Sequence, residues 1–538
     1  MEDHTRSVSR SSVAFLSGTL ISRFSGMLRD ISMAFCFGSH PAIAAFMVSF
    51  RFANLIRRLF GEGPLPSGFI PHFEQMRGES SQRGAQFFRD LFFSLTVLLV
   101  MVVLLLEAGL FAWIRLATPG TDTVQILFFT MLMLPGVLFI CLFALSCALL
   151  QCEKKYFITG VAPIAFNAAW IMAAWWLKDR EPLFAAVNLS VAVSFAFLMQ
   201  WLMVAPQTFS YLKRFLSWKE LIKIRLFSPE MRLVIKPFLL SVIGVGAVQI
   251  NSALDSIFAR FASLEGPAYL WYAIRLQQVP LALFGIALST ALLPPLSRAI
   301  KEGSFDIFQR LIDFSLRRSF SLIFPCTIGL LVLGASGINL LYGHGDFDFS
   351  ATWNTIICLW GYGIGLVPAV FVLLFAPAFY AQKDYRTPTL GALFAVLLNL
   401  FVITFLVFVL KLGPFSIAVA TSICAAFNCI YLARKLAKKT GPLFTGKIVA
   451  SFLKTIAGSL FAGAATLTVG YFLAGDPTLD ILLGREIVDF TRQISQQILQ
   501  FLILSGTFAL TFIASSWAVK ADDALELFGL KRGVAQAD

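Results

Sequence analysis

Ser22-Arg23-Phe24-Ser25-Gly26-Met27-Leu28-Arg29-Asp30 sets three formal charges inside an apolar segment that runs from about Val13 to Phe37. At membrane depth each such charge costs about 2.5–3.5 kcal/mol on insertion scales, so charges there are rarely kept without a use. Arg23 and Arg29 are six residues apart, which on an unbroken helix turns them about 120° from each other. Ser25-Gly26 between them is the kind of pair that permits a kink. The spacing therefore leaves two outcomes open. An unwound segment would aim both guanidiniums into one cavity, whereas a straight helix would pair Arg29 with Asp30 and let Arg23 reach an interface.

The surroundings of this stretch set the class. Of 538 residues 58% are hydrophobic and only 14% charged, and the mean hydropathy is +0.79. Apolar runs of about 20 residues recur from end to end, which makes this an all-α polytopic membrane protein. Fourteen transmembrane helices are expected, centred near Leu20, Phe50, Leu99, Gly136, Ala168, Ser194, Gly246, Phe284, Ile328, Leu366, Leu398, Thr421, Gly463 and Leu504. Met1 to Ser12 is short and polar and lacks a cleavage site, so the first span is expected to stay.

The formal net charge of +13 is a topology signal. Basic residues concentrate in alternate connections, as in Arg77 and Arg83, then Lys154 and Lys155, then Lys213 to Lys236, while the intervening connections hold few. The positive-inside rule then puts both termini in the cytoplasm, with the basic loops facing membrane lipids and no role for nucleic acid. Seven of the eight cysteines lie in or near apolar runs without CxxC or Cys/His spacing, and read as small buried hydrophobes. Gly441-Pro-Leu-Phe-Thr-Gly446-Lys447-Ile448 fails as a phosphate-binding loop, because Ile448 stands where Ser or Thr must hold magnesium. No enzyme motif, cofactor site or metal site is expected beyond a monovalent cation site.

An internal repeat is legible. Arg51, Leu59-Phe60-Gly61 and Phe69-Ile70-Pro71 recur 224 positions later as Arg275, Leu283-Phe284-Gly285 and Leu293-Pro294-Pro295. Six spans separate the copies, so two six-helix lobes share one orientation. This is the parallel-repeat plan of transporters, whose substrate site is expected between the halves. The expected organisation is an N-lobe (1–206), a basic cytoplasmic connection (207–228), a C-lobe (229–440), and an added C-terminal helix pair with a cytoplasmic tail (441–538).

The intramembrane cations are Arg, whose planar fork matches phosphate oxygens better than an ammonium does. Arg23, Arg29, Arg51 and Arg275 are candidates to bind a phosphate or pyrophosphate, with Asn54 on the same helical stripe as Arg51 and Arg58. Arg57 and Arg58 are expected near the headgroups. Asn251 and Asp255, at i and i+4, could hold a cation, and Asn399 and Thr421 could add oxygens.

Ser22-Arg23-x-x-Gly26-x-x-Arg29-Asp30, Asn54-Leu-x-Arg57-Arg58-x-Phe60-x-Glu62-Gly63, Phe69-x-Pro71, Tyr272-Ala-x-Arg275-Leu and Phe379-Tyr380-x-x-x-Asp384-x-x-Thr387-Pro388 resemble the MurJ (MviN) family of lipid II flippases, from about Arg10 to Leu436. The resemblance implies the fold of the multidrug/oligosaccharidyl-lipid/polysaccharide exporter superfamily, with the last helix pair forming a groove for a lipid tail. It implies a non-enzymatic function, carrying undecaprenyl-pyrophosphate-linked peptidoglycan precursor (lipid II) across the bacterial inner membrane. It also implies possible cell-wall synthesis partners. By position, the pyrophosphate contacts fall on Arg23, Arg29 and Arg275, with Asp30 orienting Arg29. The cytoplasmic gate falls on Arg57, Arg58 and Glu62, and a sodium site on Asp255, Asn399 and Thr421. Many relatives carry an acid in a Thr-Asp-Ala-Phe run where this chain has Ile43-Ala44-Ala45-Phe46, and often an Asp where Ile274 precedes Arg275. The alternatives are an exporter of other polyprenyl-linked oligosaccharides or of drugs, and a non-transporting scaffold for cell-wall enzymes.

Overall fold

In lipid every backbone N–H and C=O must be satisfied within its own segment, so long apolar runs can only become helices. The computed structural model describes the backbone of residues 2–60, 64–226, 246, 249–474, 478 and 490–527, and among them no strand occurs. The chain divides into two compact units, Met1–Ile257 and Phe258–Asp538.

The first unit contains α1 (Glu2–Phe37), α2 (Pro41–Phe60), α3 (Pro64–Glu79), α4 (Ser81–Ala117), α5 (Thr121–Cys152), α6 (Tyr156–Val161), α7 (Pro163–Leu177), α8 (Pro182–Phe215) and the single turn α9 (Trp218–Ile222). The helix α10 (249–262) crosses the division in sequence. The second unit continues with α11 (Gly266–Pro280), a π-helical turn (Leu281–Ile286), α12 (Ala287–Lys301), α13 (Phe305–Val332), α14 (Gly334–Tyr342), α15 (Phe349–Ile364), α16 (Leu366–Ala381), α17 (Arg386–Thr404), α18 (Phe415–Thr440), α19 (Gly446–Val469), α20 (Ile494–Ala518) and α21 (Asp522–Leu527).

Among the described residues, eleven helical stretches are long and apolar enough to cross a membrane. The difference from fourteen lies in the first, second and seventh expected spans. The helix α1 opens on a polar stretch and then carries Arg23, Arg29 and Asp30, and α2 holds Arg51, Arg57 and Arg58 within 20 residues. Both are helices, but their charge dilutes the apolar signal. Most of the seventh, centred on Gly246, lies outside the described residues.

The repeat reappears in helix boundaries and caps. Ser80 and Ser304, 224 positions apart, are the N-cap residues of α4 and α13. Lys154 and Lys383 both adopt φ 59. Each ends its helix with the same pair of bonds. Lys154 N donates to Gln151 O and Lys155 N to Leu150 O, just as Lys383 N donates to Tyr380 O and Asp384 N to Phe379 O. This is the glycine-type C-terminal cap made with lysine, at a cost of about 1 kcal/mol each. The packing order recurs as well. In the first unit α5 contacts α2, α3 and α4, and α7 lies on α8; in the second α11 contacts α15, α12 and α13 contact α16, and α17 lies on α18.

Close helix approach in the first unit depends on Gly136 of α5. A Cβ there would meet Phe197 Cδ2 and Ser194 Cα of α8 at 2.8 Å, so a glycine lets the backbones touch. Around this contact Phe50, Phe166, Trp170 and Phe197 form an aromatic cluster, with Phe166 and Phe197 centroids 4.8 Å apart and Phe50 and Trp170 also 4.8 Å apart.

The last helix pair is fastened to α13. Phe452 of α19 stacks on Phe320 at 3.9 Å between centroids. Arg317 reaches Asp523 and Arg318 reaches Glu526 of α21, each at 3.2 Å.

Asp384, in the connection between α16 and α17, is part of the second unit's cap. Partial burial works against its charge, but hydrogen bonds from Lys439 Nζ (2.6 Å) and from the N–H (3.0 Å) and hydroxyl (2.7 Å) of Thr387 outweigh it and hold the carboxyl at about 2. A carboxyl held below its ordinary value stabilises the fold above that value and stops doing so as pH falls through the folded value. The native chain is therefore expected to lose thermal stability between pH 4 and pH 2 through this group, by about 1 kcal/mol or less for so exposed a pair. Asp384→Asn should lack that component when melting is followed at the two pH values in detergent.

Candidate functional site

The helix α1 is continuous through Ser25-Gly26. Ser25 Oγ donates to Ser22 O at 2.8 Å, and the amide of Asn167 on α7 donates to Ser25 Oγ at 2.8 Å and to Ser22 O at 3.4 Å. A side chain from a neighbouring helix thus occupies the place where unwinding was one of the two outcomes left open. The consequence corrects the first of the two outcomes: Arg23 and Arg29 stay on different faces. Arg23 is exposed, beside Leu20 and Phe24 at 63% and 57% exposure, whereas Arg29 is 8% exposed.

Arg29 sits in a polar nest on an aromatic floor. Its Nε and Nη2 donate to Asp30 Oδ1 at 3.1 and 2.8 Å, and its Nη1 donates to Asn167 Oδ1 at 3.1 Å. Its Cζ lies 4.8 Å from the Trp170 ring centroid and 6.0 Å from that of Phe166. Trp170 is fixed in turn by edge contacts to Phe46 and Phe50 and by its Nε1 donating to Met33 Sδ at 3.1 Å. Asp30 and Asn167 are 3% and 4% exposed. Charge, hydrogen bonds and ring faces together give the guanidinium one orientation.

Pairing with an adjacent Asp is not by itself a sign of function in this chain. Arg89 and Asp90 of α4 form a second buried pair, with Nε and Nη2 donating to Asp90 Oδ1 at 2.8 and 2.6 Å. That pair ties down the connection after α8: Arg89 donates to Glu220 O, and Arg225 N donates to Asp90 Oδ1 at 3.1 Å. Arg29 differs in its aromatic floor and in the amide that bridges two helices.

The α2 residues make a second group. Arg51 Nη1 donates to Ser252 Oγ at 3.0 Å and Arg58 Nη1 to Gln249 Oε1 at 3.1 Å, both on α10. Arg57 Nε donates to Asn54 Oδ1 at 2.7 Å, so Asn54 positions a neighbouring arginine. Glu62 lies outside the described residues. Asp255 is buried on α10 one turn beyond Ser252.

In the second unit Arg275 of α11 is half-buried, with its Cζ 4.6 Å from the Trp271 ring centroid. Asn399 on α17 is buried at 2% exposure. Thr421 on α18 donates its hydroxyl to Ile417 O at 3.0 Å, which leaves its oxygen lone pairs as what it could offer a cation. Among the described residues no group of three His, Cys, Asp or Glu side chains could hold a metal.

Sequence reasoning missed Asn167, Phe166 and Trp170. Asn167 stands alone in the apolar run Pro163-Ile-Ala-Phe-Asn-Ala-Ala-Trp170, and a lone amide at membrane depth was a usable signal.

Comparison with known proteins bears on what this arrangement serves. The family model described as "Lipid II flippase MurJ" matches residues 33–480. A "Probable lipid II flippase MurJ" from Chlamydia muridarum is 31% identical over 475 residues, covering 88% of this chain and 87% of that protein. A solved structure titled "Lipid II flippase MurJ, inward closed conformation" shares the fold at TM-score 0.72 and 22% identity, covering 94% of this chain and all of that one. A multidrug resistance MATE family transporter of the MOP superfamily, in an inward-facing conformation, shares it at TM-score 0.66 and 13% identity over 80% of this chain and 98% of that one. The fold is therefore common to drug exporters and flippases, and the charged site must discriminate between them.

Proposed function

The chain belongs to the lipid II flippase MurJ family, and from that premise we propose that it moves lipid II from the cytoplasmic to the outer leaflet of the bacterial cytoplasmic membrane by alternating access. The family is one of transporters. In this reading residues 1–206 and 229–440 are the two lobes, 207–228 is their basic connection, and 441–538 supply the helix pair that accommodates the lipid tail. Both termini are cytoplasmic.

One observation carries the substrate class. Arg29 is buried inside an otherwise apolar helix yet kept charged and oriented by Asp30, Asn167 and Trp170. A guanidinium fixed in this way, with its Nε–Nη2 edge on Asp30 and its Nη1 on Asn167, offers a pyrophosphate a planar cation held in one orientation. Arg275 supplies a further cation in this reading and Arg51 and Asn54 further contacts, Arg57, Arg58 and Glu62 form the cytoplasmic gate, and Arg23 lies on a face of α1 turned away from Arg29. Asp255, Asn399 and Thr421 are each carried in this reading as a candidate oxygen donor to a monovalent cation. Membrane lipids, and cell-wall synthesis proteins acting before and after the flip, are the partners.

The test is replacement of the resident flippase in a depleted bacterium. This chain is expected to restore growth and the appearance of lipid II in the outer leaflet, and failure of both by a well-expressed protein would contradict the reading. A drug exporter would keep its activity when Arg23, Arg29 and Arg275 are changed singly to Ala. A scaffold would still complement with those changes and fail with surface-loop changes.

A further inference from the structure

We infer that Asn167 is the positioning residue of the anion site: it aims Arg29 at the pyrophosphate and, through the same amide, holds α1 straight at that level. The inference rests on the reading of Arg29 as a pyrophosphate contact. Its carboxamide is used from both ends. The oxygen accepts from Arg29 Nη1 at 3.1 Å, and the nitrogen donates to Ser25 Oγ at 2.8 Å and Ser22 O at 3.4 Å. A carboxamide carries its acceptor and its donor on two separate atoms without charge.

The neutrality of the amide is the feature that matters. Asp30 already balances the charge of Arg29, with one carboxylate oxygen taking both the Nε and the Nη2 hydrogens. A second carboxylate at position 167 would make the local charge negative and compete directly with phosphate oxygens. A neutral acceptor instead fixes the Nη1 edge and leaves the electrostatics favourable to an arriving anion. The alignment is set by α7, because Trp170, one turn beyond Asn167, lies under the same guanidinium at 4.8 Å. Ring face and amide thus come from a single rigid helix. The Ser22 and Ser25 contacts tie that helix to α1 within two turns of Arg29, so a relative shift of α1 and α7 would release orientation and anchoring together.

Purified full-length protein in proteoliposomes, with lipid II as the probe, separates positioning from mere packing. Asn167→Asp, which keeps an acceptor for Arg29 but adds a carboxylate that repels phosphate oxygens, is expected to raise the half-saturating lipid II concentration about tenfold or more and, by losing the donor to Ser22 and Ser25, to lower the melting midpoint. Asn167→Leu, which keeps the volume but neither polar end, should raise it about threefold and lower the midpoint as well. Half-saturation unchanged in both variants, with only maximal rate and melting midpoint falling together, would overturn the inference. If the Asp variant does not fold, the Leu variant decides alone by the same criterion. Arg29→Ala run in parallel keeps the two ideas apart: normal transport by that variant would sink the underlying reading, whereas its failure beside an unaffected Asn167→Asp would sink the positioning role alone.

Discussion

Arg29→Ala is expected to abolish lipid II translocation and to destabilise the protein by about 3–5 kcal/mol, because it strips the guanidinium from a carboxylate buried at 3% exposure. Loss of activity in that variant would be ambiguous alone. The double change Arg29→Ala with Asp30→Asn resolves it, since removing both charges removes the penalty of a lone buried carboxylate. The double variant should regain most of the lost stability, because a buried pair replaced as a unit is often nearly neutral. Transport should stay absent, because no cation remains on the aromatic floor to meet the pyrophosphate. Thermal melting in detergent and translocation in proteoliposomes read the two effects separately. Recovery of transport by the double variant would mean that Arg29 serves only to neutralise Asp30, as Arg89 does for Asp90.

Arg275→Ala is the second large effect, and it should be nearly all functional. The side chain is half-buried and stacks on Trp271 at 4.6 Å, a contact worth about 0.5–1 kcal/mol at an accessible site. Loss of the ring contact alone should lower stability by about 0.5–1 kcal/mol, while translocation drops at least a hundredfold if two phosphate hydrogen bonds go with it. Arg275→Lys keeps the charge and loses the planar fork, so it should recover only a minor part of the rate. Full recovery by lysine would reduce the role of Arg275 to a point charge.

Much of the fold was legible because lipid imposes one rule on every span. The 224-residue repeat was visible in Arg51 and Arg275, and it recurs in the caps at Ser80 and Ser304. The structure extends the correspondence to Lys154 and Lys383, which take the same positive φ. Span counting was weakest where charge is densest, in α1 and α2, because a hydropathy window cannot separate a charged functional helix from a polar one.

The site was legible along a single helix and not across helices. Arg29 beside Asp30 in an apolar run was enough to mark a candidate cation. The contacts of α1 at Ser25-Gly26 were not legible, because the amide that meets them, that of Asn167, is more than 140 residues away in sequence. Local sequence allowed a kink there, and the helix runs unbroken through with Asn167 bonded to Ser22 and Ser25. The same reason hid the partners of Arg51 and Arg58, Ser252 and Gln249, which meet them only once α2 and α10 are packed.

On this reading a fixed, buried guanidinium handles a pyrophosphate-bearing lipid. The most direct measurement is lipid II translocation by the purified chain in proteoliposomes, run beside an otherwise identical lipid that lacks the pyrophosphate. Rapid movement of lipid II, slow movement of the phosphate-free analogue, and loss of that difference in Arg29→Ala are predicted. Equal movement of both lipids by the unmodified chain would contradict the account.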